Sequence, residues 1–145
     1  MYSFRKIFSS NFYQAHFDAH YAILKVAALP ATASLDDVTY RKEYTQIITT
    51  AQKLKPAFFL LNNAQNKFQN SADSQQWHQQ QIKAVGVCKN AIVIGADFIL
   101  QSIQSAHIIN PQVPAIPSQY FTNEEDALLW LVGSIKTPSR KKIVT

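Results

Sequence analysis

Two rhythms of apolar and polar residues alternate along this chain, and together they predict an α/β protein. Phe12 to Phe17 and His20 to Leu29 are extended-looking runs separated by Asp18-Ala19, a pattern that reads as a hairpin. The second run is mostly apolar and closes at Pro30, as an inner strand would. From Ser34 to Lys55 the spacing becomes helical: Tyr40, Tyr44, Ile47, Ala51 and Leu54 form a stripe that Ile48 widens. Ser34 is placed to cap this helix, with Asp37 in the capping-box position and Asp36 favourable against the dipole. Lys53 and Lys55 suit its negative end, and Pro56 stops it.

Ala57 to Leu61 is a short continuous apolar run of the kind shown by a strand buried on both faces. Residues 62–81 then change character, since eleven of the twenty are Asn or Gln. A loop through Asn62, Asn63 and Asn66 leads to a second helix beginning near Ser71 or Asp73, with Asp73 and Gln76 in capping-box spacing. This helix carries Trp77, Gln81 and Ala84 and ends before Gly86. Asn90 to Ile94 predicts another buried strand. A third helix capped by Asp97 follows, with Ile99, Leu100, Ile103 and His107 on one side. The proline-rich stretch 110–117 excludes helix and central strand, and Gln119 to Phe121 reads as a short strand. The last helix opens with a capping box of Thr122 and Glu125, buries Ala127, Leu128, Leu131 and Trp130, and ends at a left-handed Gly133. The order β-β-α-β-α-β-α-β-α predicts a mostly parallel sheet after the initial hairpin. Neither a repeat nor a domain boundary is evident, so residues 1–145 read as one domain with its core over about 10–132.

Composition narrows the function classes. Gly86, Gly95 and Gly133 are the three glycines and lie far apart, which excludes the phosphate-cradling loops that need two close glycines. The same scarcity excludes a G-x-S-x-G nucleophile elbow. The single cysteine, Cys88, cannot pair internally and reads as a small buried apolar residue in a reducing compartment. No apolar run reaches the length of a membrane span, and the first ten residues do not read as a signal peptide, so a cytoplasmic location is expected. The formal charge is +5, but Lys136, Arg140, Lys141 and Lys142 supply four units of it from the C-terminal segment 134–145. The remainder is nearly neutral. A nucleic-acid partner is therefore not expected, and the tail reads as a solvated terminus.

Candidate chemistry is sparse. His16, Asp18 and His20 form an H-x-D-x-H cluster, but the expected turn falls inside it and no fourth ligand is apparent. They read as solvent-facing hairpin residues, and no metal or cofactor is expected. Glu124, Glu125 and Asp126 resemble paired carboxylates, yet a helix first turn explains them without chemistry. His78 and His107 read as structural or surface residues, and no catalytic residue is assigned. Trp77, in a helix otherwise dominated by glutamine, is a core anchor or one wall of a binding surface. The amide-rich loop falls at the carboxyl end of a predicted parallel strand, where open α/β sheets place their crevices. Amides donate and accept without charge, which suits recognition. Asn62, Asn63, Asn66 and Trp77 are the candidate binding surface.

Several stretches together resemble the STAS/SpoIIAA-like family, in particular small bacterial STAS/SEC14-like proteins. They are Tyr40-Arg41-Lys42-Glu43-Tyr44, the strand Phe58-Phe59-Leu60-Leu61 with Asn62 after it, and Gln76-Trp77. The run from Gly86 to Val93 and the closing run from Phe121 to Leu131 complete the likeness. The resemblance implies a SpoIIAA-like mixed sheet of four or five strands with helices mainly on one side. It also implies a non-enzymatic regulatory or protein-interaction module that forms a homodimer. In signalling members a serine at the start of the second helix is phosphorylated by a partner kinase. Ser71 or Ser74 stands in that neighbourhood, although the usual Asp-Ser pair is missing and Asn62 stands where similar proteins often carry Asp. The SEC14-like side of the resemblance implies instead a small apolar, lipid-like ligand.

Overall fold

The computed structural model describes residues 2–69, 71–95 and 116–133. Its centre is a six-stranded sheet whose spatial order follows the sequence. The strands are β1 (Phe4–Ser9), β2 (Tyr13–Asp18), β3 (Ile23–Ala28), β4 (Phe58–Asn62), β5 (Lys89–Val93) and β6 (Ser118–Phe121). β1, β2 and β3 form an antiparallel meander, and β3 through β6 are parallel. Helix α1 (Asp37–Gln52) crosses from β3 to β4, and α2 (Ala72–Ala84) crosses from β4 to β5. Helix α3 (Glu124–Gly133) follows β6.

A mixed α/β sheet is thus present, but its element order differs from the expected one. β1 is an added edge strand, so three strands precede the first helix and the sheet begins at Phe4. Its Arg5 and Lys6 hide the alternation that marks inner strands, and its register slips between Lys6 and Phe8. Charges and bulges are ordinary features of an edge. The hairpin turn is also longer than expected. It occupies residues 19–22, with Ala22 at φ 58°, so the third strand starts at Ile23 rather than His20. The expected helix from Asp97 to His107 and the basic segment 134–145 lie outside the described residues.

Alternation along the central strands sorts the core into two layers. Leu24, Val26, Ala28 and Phe59 face α1 and α2, where Tyr44, Ile47, Ala51 and Ile82 are buried. Ile23, Phe58, Leu60, Ala91 and Val93 face the other way, against Ala127, Leu128, Leu131 and Val132 of α3. Two of the three described helices therefore share one face. Right-handed crossovers between sequentially ordered parallel strands put their helices on the same side, and only the terminal helix is free to cover the back.

The caps correct three expectations. Asp36, not Ser34, caps α1 by accepting from the Thr39 N–H at 2.8 Å; Ser34 closes a separate 3-10 turn, Pro30–Ser34. Asn123, not Thr122, caps α3, its Oδ1 accepting from the Asp126 N–H at 2.8 Å. Gly133 is the last helical residue of α3 and is not left-handed, whereas Gly86, after α2, holds φ 104°. Cys88, expected in the core, is exposed, and its thiol donates to the Ala57 carbonyl at 3.3 Å. No described helix is long and apolar enough to cross a membrane.

Candidate functional site

At the carboxyl end of β4 the chain leaves the sheet through Asn62. Its side-chain Nδ2 donates to Glu124 Oε2 at 2.7 Å, and its Oδ1 accepts from the Ala64 N–H at 3.0 Å. The other Glu124 oxygen meets Lys25 Nζ at 3.3 Å. Asn62 thereby ties the first turn of α3 to β3 and β4. At the far end of the helix, Lys89 Nζ donates to the Trp130 carbonyl at 2.7 Å and lies 4.0 Å from its ring centroid. Burial holds the Lys89 ammonium below its ordinary pKa. A cation at the carboxyl terminus and a carboxylate at the amino terminus both suit the helix dipole. The carboxylate of Glu124 is thus explained by position and pairing.

From Asn62 the amide loop crosses toward the α1–α2 face. The Asn63 N–H donates to the Val93 carbonyl at 2.7 Å, and Asn66 Nδ2 donates to the Phe68 carbonyl at 2.7 Å. The Lys67 N–H donates to the buried Thr32 hydroxyl at 2.8 Å, seating the loop on the 3-10 turn. Close packing extends to the next loop, where a Cβ on Gly95 would come within 3.2 Å of the Ala64 carbonyl oxygen. Phe68 stacks on Tyr40 with ring centroids 5.1 Å apart, and Tyr40 meets Trp77 edge-on at 6.1 Å. Asn66 and Trp77 are therefore linked through Phe68 and Tyr40. Asn62 faces α3 on the opposite side of the sheet. The four candidate residues do not form one patch.

Trp77 is half-buried and lines an open groove of about 280 Å³ between α1 and α2. Arg41, Asp73, Gln76 and Gln80 form the rest of it. The Arg41 guanidinium lies 5.5 Å from the Trp77 ring centroid, within range of a cation–π contact. Arg41 is the residue that sequence reasoning missed; its i, i+4 position from Asp37 places it one turn above the α1 start, but nothing in one sequence pairs it with Trp77. Ser71 is exposed and caps α2, its Oγ accepting from the Ser74 N–H at 3.1 Å. Ser74 is fully buried, and its hydroxyl donates to Asp37 Oδ1 at 3.2 Å. A phosphate on Ser71 would extend the acceptor set at a helix N-terminus, whereas one on Ser74 would face the Asp37 carboxylate.

The three histidines among the described residues occupy different settings. His20 is exposed in the turn, edge-on to Tyr21. His16 lies on β2 directly opposite Lys25 of β3 and Lys6 of β1. Burial, then Lys25 and Lys6, hold it below its ordinary pKa, while Glu124 opposes them. His78 is buried between Tyr44 and Phe59, and burial lowers its pKa to about 4. Asp18 is not the solvent-facing hairpin residue expected. It is fully buried and accepts from the N–H groups of Ser3 and Tyr21 at 2.7 and 2.8 Å. Those bonds close the hairpin turn and fix the start of β1. Among the described residues no group of three or more His, Cys, Asp or Glu side chains is placed to hold a metal.

No family model matches the chain, and no curated protein or solved structure matches it either.

Proposed function

We propose that this chain is a non-enzymatic, STAS-like regulatory module that acts by binding another protein through the α1–α2 groove. The observation that carries the reading is Trp77, half-buried under Arg41 and surrounded by Gln76, Gln80 and Asp73. Trp and Arg are among the residue types most enriched at protein-binding hot spots. The amide side chains around it add donors and acceptors without a net charge. The STAS resemblance supports the same assignment, because in that family regulation runs through contacts near the start of the second helix. Ser71, exposed at that start, is the position where a phosphate would alter the groove's charge.

The test uses the full chain as bait. Wild type captures a partner that Arg41→Glu and Gln80→Arg lose, and the purified partner binds wild type but neither variant by calorimetry. Retention by both variants would refute the groove. A stoichiometric non-covalent adduct in native mass spectrometry of freshly purified protein would favour the SEC14-like carrier of a small apolar ligand instead. Sedimentation velocity of wild type and Arg41→Glu distinguishes a second copy of the chain from a different partner.

A further inference from the structure

Helix α3 packs mainly against β4, β5 and β6 and reaches Ile23 of β3, and the same face of β1 and β2 is left without a helix among the described residues. On that open half the register sets Lys6 opposite His16, and His16 opposite Lys25. All three side chains belong to one face and form one cross-strand row. Directly opposed side chains on neighbouring strands have Cβ atoms about 5 Å apart, so the two lysines that flank His16 disfavour a positive charge on its imidazole. Sheets ordinarily place opposite charges in such positions. Here only the end of the row is neutralised, where Glu124 pairs with Lys25 at 3.3 Å. Lys6 is exposed and has no ion pair among the described residues. His16 is half-buried, and its Nδ1 is shielded from solvent with no hydrogen-bond partner.

We propose that this row binds a dianionic phosphate group, of the kind carried by a phosphorylated small molecule or headgroup, with Lys6, His16 and Lys25 as its ligands. Lys6 and Lys25 stand two strand spacings apart, about 10 Å along the sheet, and their long side chains reach over His16 between them. A phosphate monoester offers three oxygens and a charge of roughly −2, which matches three donors in a row. A lone carboxylate matches less well, and the end of the row already has one. Asn62 holds the second Glu124 oxygen at 2.7 Å, so that carboxylate is kept at the Lys25 end and does not cover His16 or Lys6. The Phe4 ring, 4.2 Å from Lys25 Nζ, keeps that ammonium over the sheet and out of bulk water. A second copy of the chain is a poor occupant, because two such rows repel. The site lies on the opposite face from the α1–α2 groove and does not depend on it.

The experiment is a titration of the full-length chain with glycerol 3-phosphate, followed by amide and histidine NMR shifts at constant ionic strength set with sodium chloride. Saturable shifts confined to β1, β2, β3 and the first turn of α3, with Kd about 1 mM or tighter, are expected. Lys6→Gln and His16→Gln each weaken binding about threefold to fivefold. Glu124→Gln removes the competing carboxylate and tightens binding, whereas Glu125→Gln, with the same change in net charge, leaves it unaltered. Phosphatidylcholine vesicles containing phosphatidic acid identify a headgroup as the source when Lys6→Gln releases them. Because the basic residues 136–142 attract anionic vesicles by themselves, vesicle binding that survives Lys6→Gln counts against the row. Non-saturating shifts, shifts centred on α1 and α2, or equal effects of Glu124→Gln and Glu125→Gln overturn the proposal.

Discussion

His78 makes stability depend on pH in a way that can be isolated from every other group. The imidazole sits edge-on to Tyr44 at 4.7 Å and to Phe59 at 5.4 Å, and its Nε2 has no hydrogen-bond partner. Desolvation therefore penalises the charged form and lowers the pKa from 6.5 to about 4. In the unfolded chain the same group titrates at its ordinary value. Below pH 6.5 the unfolded state takes up a proton that the native state refuses, so stability is lost as the pH falls. The loss accumulates toward about pH 4 and levels off once both states are protonated. A shift of this size corresponds to about 3 kcal/mol, at roughly 1.4 kcal/mol per pKa unit. Urea unfolding of wild type and His78→Leu at pH 7.5 (chosen about one unit above the ordinary histidine value) and at progressively lower pH measures it. The variant is less stable at neutral pH if leucine packs less well, but that offset is constant. Wild type should lose about 3 kcal/mol relative to the variant across the window, whichever chain is the more stable at neutral pH. Parallel curves for the two chains would show that His78 is solvated or partnered and would refute the argument.

Other substitutions probe the remaining structural claims. Asp18→Ala strands two backbone N–H groups in a buried corner and should cost about 2–4 kcal/mol in urea unfolding, with Asp18→Asn recovering part of the loss. Gly86→Ala forces a Cβ onto φ 104°, although that atom would meet only the Pro56 carbonyl at 3.5 Å. Its cost, about 1–2 kcal/mol in thermal unfolding, should therefore come from backbone strain, and an unchanged melting temperature would contradict the left-handed turn. Asn62→Ala removes both the Glu124 contact and the Ala64 turn bond, and should cost about 1–2 kcal/mol while raising hydrogen exchange in the first turn of α3. An unchanged exchange pattern would show that Lys25 alone anchors that turn.

Much of the parallel half of the molecule was legible in the sequence. Phe58 to Leu61 and Ala91 to Ile94 are continuous apolar runs because both of their faces are covered, and the tyrosine stripe of α1 repeats at helical spacing. β1 was not legible, since an edge strand with Arg5 and Lys6 at its centre has neither an apolar run nor clean alternation. The caps were displaced by one or two residues because Ser34, Asp36, Thr122 and Asn123 are all competent acceptors. Local sequence cannot choose between them; the turn preceding each helix does. The site was half legible. Trp77 stood out against its glutamines, but its partner Arg41 comes from another helix. Asn62 lies at the carboxyl end of β4 as expected, yet its partner Glu124 is 62 residues away and is shared with Lys25 of another strand. The burial of Asp18 follows from two backbone donors that only the folded turn brings to it.

The handedness of the crossovers accounts for where both proposed surfaces lie. Because β3 to β6 are added in sequence, the right-handed connections stack α1 and α2 side by side on one face. Their outer surfaces meet in a groove, and the side chains along it are free of core duty: Arg41, Gln76, Gln80 and the exposed part of Trp77. Among the described residues, the reverse face has only α3 to cover it. A helix is about 10–12 Å across, whereas six strands span about 24 Å from the first to the last. One helix lying antiparallel to the strands therefore covers about half of the sheet, and the ends marked by Asn62 and Lys89 place it over β4 to β6. Beyond the apolar end formed by Phe4 and Ile23, that face of β2 is polar, with Tyr13, Ala15 and Phe17 inward and Gln14 and His16 outward. Polarity alone would be satisfied by threonine, serine or a mixture of charges. Lys6, His16 and Lys25 in direct opposition go further than solubility requires. They set two ammonium groups on either side of an unpartnered imidazole at the first turn of α3, and this excess over the demands of the fold is what the phosphate titration measures.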